Sequence, residues 1–186
     1  MGHNSRIILL NKLLQDGNTL YKKKDMEGAA LRYSYASKRV PTASQGSYQK
    51  MFVQLKMHLL LNLCECKVRM SDYGAAISLA TEVIVQHPAC CQAYHARARA
   101  HQAAGDLDKA CQDLTQAVRL TPHHRELCAQ LIKIKEELRA EGEMRAEGEM
   151  RAEGEMRAET RCSEAEELDK FCASLSLSCD QVEKSR

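Results

Sequence analysis

The chain has 186 residues, 44% of them hydrophobic, with no Trp, two Phe and three Pro. That length suits one domain of ordinary size plus tails, and the dominance of Leu and Ala over aromatic residues excludes a typical sheet protein in favour of stacked helices. The formal net charge of +2 hides a split, because residues 1–138 hold 19 Lys and Arg against 12 Asp and Glu (+7) while residues 139–186 hold 8 against 13 (−5).

A basic body followed by an acidic tail favours an acidic peptide, the chain's own tail or an anionic surface as partner. Its basic residues are not interleaved with aromatics, which argues against nucleic acid. No apolar run approaches transmembrane length. The start, MGHNSRIILLNKLL, does not read as a secretory signal, since Asn11 and Lys12 break a short apolar run. Gly2 is followed by Arg6 where a myristoylation motif wants Ser or Thr. There are nine Cys, and an odd number without a signal peptide fits reduced thiols in the cytosol or nucleus. Cys64 and Cys66 are two apart on a predicted helix, so they point about 200° apart and make poor metal co-ligands.

Residues 7–41 read as a first helical hairpin. In a 34-residue period, Gly17 falls at position 8, Ala29 at 20, Tyr33 at 24, Ala36 at 27 and Pro41 at 32. The run Lys22-Lys23-Lys24-Asp25 closes the first helix and enters the turn, where cations suit a helix C-terminus. Residues 42–56 are an insert, since Pro41 to Pro88 spans 13 residues more than Pro88 to Pro122. Residues 42–46 are expected to be a loop. The remainder extends the next helix, because Met51, Phe52, Leu55 and Leu59 recur at helical spacing. Residues 57–90 form a second hairpin, with Leu60, Leu63, Cys64, Ala76, Ala80, Val83 and Pro88 in register and Ser71 at the turn. Its first helix is nearly continuous in apolar residues, as for a helix covered on both sides.

Residues 91–124 carry the clearest pattern. Tyr94, Ala98, Gly105, Ala110, Leu114, Ala117 and Pro122 stand at positions 4, 8, 15, 20, 24, 27 and 32. This is the spacing of a tetratricopeptide repeat. Two antiparallel helices cross closely at Ala98 and Ala110, Tyr94 and Leu114 fill the space around them, Gly105 permits the turn and Pro122 ends the second helix. Residues 125–140 follow as a capping helix, with Leu127, Leu131, Ile134 and Leu138 facing the third hairpin. The expected fold is therefore all-α: a solenoid of three helical hairpins plus a capping helix, with a low-complexity acidic tail. Within that tail, residues 141–159 repeat the hexamer EGEMRA. Methionines six apart turn about 240° per step, so no heptad seam forms, and each Gly costs about 1 kcal/mol of helix propensity. A frayed, solvated helix or a disordered linker is expected there. Residues 160–186 are acidic, and Leu168, Phe171, Cys172 and Leu175 suggest a short amphipathic helix that docks on the basic body.

No nucleotide loop, metalloprotease helix or nucleophile elbow is found. His123-His124 opens the capping helix and reads as solvent-exposed or capping. The pattern implies no cofactor, no metal and no enzyme activity, but binding through surface geometry. In such solenoids the first helix of each hairpin lines the concave face. That face draws on Asn11, Leu14, Asn18, Tyr21 and Lys22, then His58, Leu61, Asn62, Glu65 and Arg69, then Gln92, His95, Arg99 and Gln102. The groove candidates are Asn18, Tyr21, Lys22, Asn62, Arg69, His95 and Arg99. Asn side chains offer donor and acceptor to an extended peptide, and Arg99 offers a fork to a carboxylate. A protein or peptide is the expected partner.

Two resemblances sharpen this. The stretches LLLNLCECKVRMSDYGAAISLATEVIVQHPACCQAYHARARAHQAAGDLDKACQDLTQAVRLTPHHRE and GNTLYKKKDMEGAALRYSYASKRVP resemble the C-terminal repeat region of the TANC family, called rolling pebbles in insects. Those scaffolds carry an ATPase-like region and ankyrin repeats ahead of this segment. The resemblance implies a scaffold module in the cytoplasm, at postsynaptic or other membrane-associated assemblies, and that this chain is a fragment, a truncated product or a small relative. The ending Lys184-Ser185-Arg186 lacks the apolar terminal residue of a PDZ-binding tail. The second resemblance is to co-chaperones that clamp the acidic C-terminus of Hsp70 or Hsp90. Asn18 and Asn62 match that clamp, whereas Leu14, Gln92 and Ala96 depart from it.

Overall fold

The structure, a computed structural model, describes the backbone of residues 2–41 and 48–183, with side chains as far as residue 157 and at residue 159. The described chain is helical throughout: α1 (His3–Lys22), α2 (Met26–Ser37), α3 (Tyr48–Arg69), α4 (Tyr73–Gln86), α5 (Cys91–Ala103), α6 (Leu107–Leu120) and α7 (Arg125–Glu183). It divides into two units, Met1–Leu138 and Arg139–Arg186. The first is a solenoid of the hairpins α1–α2, α3–α4 and α5–α6, closed by the opening turns of α7. The loop predicted over 42–46, the apolar stripe from Leu168 to Leu175 and its docking on the body all lie outside the described residues and side chains.

The turns follow from three residues that share one period position. Asp25, Asp72 and Asp106 are N-caps of α2, α4 and α6, and each carboxylate accepts a backbone N–H, from Gly28 at 2.8 Å, Ala75 at 3.3 Å and Lys109 at 3.2 Å. An aspartate at the same period position of all three hairpins is a cap signal that the sequence itself carries. Immediately before each cap the backbone turns left-handed, at Lys24 (φ 64°), Ser71 (φ 61°) and Gly105 (φ 83°). Only the third hairpin uses the residue that adopts this conformation without a Cβ penalty.

From α1 to α6 each helix packs on the next along the chain, and the first helices also meet one another, α1 with α3 and α3 with α5. That second set of contacts makes a continuous inner face. In the first hairpin Gly17 lies against the buried Tyr33 ring, so a residue without a side chain makes room for a large one. In the third, Ala98, Ala110, Leu114 and Ala117 form a cluster with Leu127 and Ile134 of α7, with Tyr94, Leu131 and Leu138 packed around it. The capping helix thus uses all four predicted apolar residues. α3 is buried on two sides: Leu59, Leu63 and Cys66 join the first hairpin, while Cys64 packs with Ala76, Ala80 and Ala100. Cys64 and Cys66 therefore face different clusters, as a two-residue step on a helix requires. Phe52, Leu55 and Leu59 are buried in the extended N-terminal part of α3, but Met51 of the predicted stripe is exposed.

In the second unit the hexamer segment is helical, and its methionines and arginines are exposed. Arg151 bonds Glu155 at 3.1 Å, an i,i+4 pair that adds a few tenths of a kcal/mol at most. No helix among the described residues is long and apolar enough to cross a membrane.

Candidate functional site

The inner face of the solenoid gathers its polar groups around one carboxylate. Glu65, on α3, accepts from the Tyr21 hydroxyl of α1 at 3.1 Å, from Nε of Arg69 at 3.1 Å, and from both terminal nitrogens of Arg99 on α5, at 2.5 and 3.1 Å. One side chain thereby ties together the first helices of all three hairpins. Burial alone would raise the Glu65 pKa. The Arg99 fork, with Arg69 and Tyr21, outweighs it and holds the carboxyl below its ordinary value. Tyr21 responds in the opposite sense, its phenol raised by burial and by the charge of Glu65.

Beside this cluster lies a second one. Oδ1 of Asn18 accepts from the Tyr33 hydroxyl at 2.7 Å and from the Asn62 amide at 3.2 Å. Burial pushes the Tyr33 phenol up to about 12, so it remains a donor at every physiological pH. Asn18, Tyr21, Tyr33, Asn62 and Glu65 line one pocket of about 140 Å³. At the far end His95 bonds Gln130 of α7 at 2.9 Å, and burial is the main cause of its lowered pKa.

Of the seven groove candidates, the structure brings Tyr21, Arg69 and Arg99 together on Glu65, and Asn18 together with Asn62. Lys22 is exposed in the last turn of α1. His95 belongs to a separate contact with the capping helix. Three contributors stand outside the candidate set. Glu65 is the hub, although its period position alone marks it only as one groove residue among many. Tyr33 reaches the groove from a second helix, and Gln130 reaches it from α7. The Arg99 fork is already engaged by a carboxylate of the chain itself.

A separate buried network holds the third hairpin. Arg97 donates to both carboxylate oxygens of Asp113, at 2.8 and 2.7 Å, and to the Thr81 hydroxyl at 3.2 Å. His101 lies 4.0 Å from the same carboxylate. At the start of α7, Nδ1 of His124 accepts the Leu127 backbone N–H at 3.3 Å, which makes it a helix cap. Among the described residues no group of three His, Cys, Asp or Glu is arranged to hold a metal ion. Burial pushes the Cys64 and Cys66 thiols up to about 12 and 11, which leaves them protonated and poor nucleophiles.

Comparison with known proteins agrees with this geometry. Residues 91–124 match the family model described as tetratricopeptide repeat. Mouse aryl-hydrocarbon-interacting protein-like 1 is 25% identical over 146 residues, covering 76% of this chain and 44% of that protein. The chain therefore spans less than half the length of this curated relative. The Hsp90 co-chaperone Cns1 from Saccharomyces cerevisiae superposes with a TM-score of 0.67 at 20% identity, over 83% of this chain and 46% of that one. The second TPR domain of human RPAP3, solved in complex with the HSP70 peptide SGPTIEEVD, gives 0.54 at 20% identity, over 72% of this chain and 98% of that one. The repeat match, the three hairpins and these likenesses make the first unit a tetratricopeptide-repeat domain, with the fold that Cns1 and RPAP3 share.

Proposed function

We propose that this chain is a non-enzymatic adaptor whose inner groove binds the acidic C-terminus of a partner protein, in the manner of co-chaperones that take Hsp70 or Hsp90 tails. The Asn18–Asn62 pair carries the reading. Asn18 spends its carbonyl oxygen on Tyr33 and Asn62, which leaves its amide N–H groups and one of Asn62 to donate. Two amide donors from adjacent hairpins suit a terminal carboxylate, and Lys22, exposed in the last turn of α1, adds positive charge. RPAP3 is similar in fold and was solved with an EEVD peptide, which supports the peptide class.

The departures at Leu14, Gln92 and Ala96 remove three side chains of the usual clamp, so modest affinity is expected. Fluorescence polarisation with labelled SGPTIEEVD is the test. Wild type binds the free-acid peptide, C-terminal amidation abolishes binding, and Asn62→Ala weakens it about tenfold, the worth of one hydrogen bond to a charged group. Failure of the free-acid peptide to bind wild type would sink the acidic-tail reading. The finer kinship with the TANC family rests on the stretches LLLNL and YHARARA, and with it goes a cytoplasmic setting at membrane-associated assemblies. Cell fractionation, with the protein recovered away from membrane-linked complexes, would count against it.

A further inference from the structure

The groove already contains a carboxylate. Glu65 occupies the Arg99 fork through both oxygens and also takes Arg69 and Tyr21. The cluster is open to solvent: the Arg99 side chain is 41% exposed and Arg69 is 56% exposed, so a ligand can reach both guanidinium groups. Glu65 and the Asn18–Asn62 pair line the same pocket. A peptide in this groove thus meets two kinds of subsite. One offers free amide donors. The other offers two arginines that already share one carboxylate of the chain, a cluster left with a single net positive charge.

We propose that Glu65 is the specificity determinant of the groove, an internal competitor that withholds Arg99 and Arg69 from acidic side chains of a bound peptide. This rests on the acidic-tail reading above. A single terminal carboxylate binds at Asn18 and Asn62 without disturbing Glu65. Acidic side chains upstream gain little, because each would have to displace an intramolecular carboxylate that costs no association entropy to hold. The groove then reads the chain terminus and is nearly indifferent to the acidic residues before it.

Glu65→Gln separates the possibilities. Glutamine keeps the length and a carbonyl acceptor for Tyr21 or one guanidinium, and removes the charge. Two labelled peptides, SGPTIEEVD and the same sequence with both Glu replaced by Gln, are titrated against each protein. Wild type is expected to distinguish them by less than about threefold. Glu65→Gln is expected to prefer the acidic peptide by about tenfold, with a steeper salt dependence. The double variant Glu65→Gln/Arg99→Ala is expected to lose that preference. Thermal melts of all three proteins establish that each is folded. Strong preference by wild type for the acidic peptide, or a folded Glu65→Gln variant with no gained preference, overturns the inference while leaving the acidic-tail reading standing. No binding of either peptide to either protein overturns that reading, and this inference with it.

Discussion

The Tyr33 hydroxyl on α2 donates a 2.7 Å hydrogen bond to Oδ1 of Asn18 on α1. The ring that carries it lies against Gly17, the residue next to Asn18. A core contact therefore sets the position of a groove side chain. Stability and binding are coupled at this point, because the same aromatic ring fills the hairpin interface and orients the amide.

Gly17→Ala tests that coupling. A Cβ at Gly17 would stand 2.5 Å from Cε1 and 2.8 Å from Cδ1 of Tyr33, a side chain only 1% exposed. The ring has no room to retreat, so a loss of roughly 1–3 kcal/mol is expected in urea denaturation. Peptide affinity falls with it, as the ring moves its hydroxyl away from Asn18. Gly74→Ala is the control, since nothing lies within 4 Å of a Cβ there, and it is expected to cost nothing.

The turn positions predict changes of opposite sign. Ser71 sits at φ 61° and Gly105 at φ 83°. Ser71→Gly relieves a left-handed conformation that a Cβ disfavours and is expected to stabilise by up to about 1 kcal/mol. Gly105→Ala imposes the same strain and destabilises by about 1 kcal/mol, although the space around it is open. Paired denaturation curves with a common m-value would check both; a gain for Gly105→Ala would contradict the account.

The Arg97–Asp113 pair is the buried ion pair of the third hairpin, with Asp113 only 7% exposed. Arg97→Ala leaves the Asp113 carboxylate beside His101 without its fork, and a loss of about 3–5 kcal/mol is expected. Removing both charges as Arg97→Met/Asp113→Leu restores much of it. A double variant no more stable than Arg97→Ala would show that packing, rather than the stranded charge, sets the cost.

Acid acts on the body in two windows. His95 and His101 have pKa values held below the ordinary 6.5, chiefly by burial. The unfolded chain then binds more protons than the folded one, so stability is full above about pH 6.5 and declines as pH falls below it. Glu65 lies below its ordinary 4.5, so its contribution is present above that pH and is lost as pH falls through the folded value. Urea midpoints at pH 7.5, 5.5 and 3.5 should fall stepwise. His95→Gln should flatten the first step, and Glu65→Gln the second.

The hairpins were legible because their determinants are local. Ala98 against Ala110 and the stripe from Leu127 to Leu138 follow from helical periodicity within a few turns, whereas the contact of Gly17 with the Tyr33 ring came only with the structure. The turn aspartates Asp25, Asp72 and Asp106 were equally readable, since a cap and its N–H partners are three residues apart. Position counting also named Asn18, Asn62, Arg69 and Arg99 as residues of one face. It did not rank Glu65 above its neighbours, and it left Tyr33 and Gln130 out of the groove.

What the sequence alone determined is the period, the all-helical fold and the set of side chains available to the inner face, because burial at 3.6-residue spacing is decided within each hairpin. Only the tertiary structure decided which of those side chains meet. Tyr21 and Arg99 lie 44 and 34 residues from Glu65 along the chain. Their convergence depends on how three first helices pack side by side, and no local pattern records that. The physical reason is that a long-range hydrogen bond is fixed by the relative placement of whole helices, which the summed packing of buried Leu, Ala and Tyr side chains sets, while the polar residues that use it contribute almost nothing to choosing it.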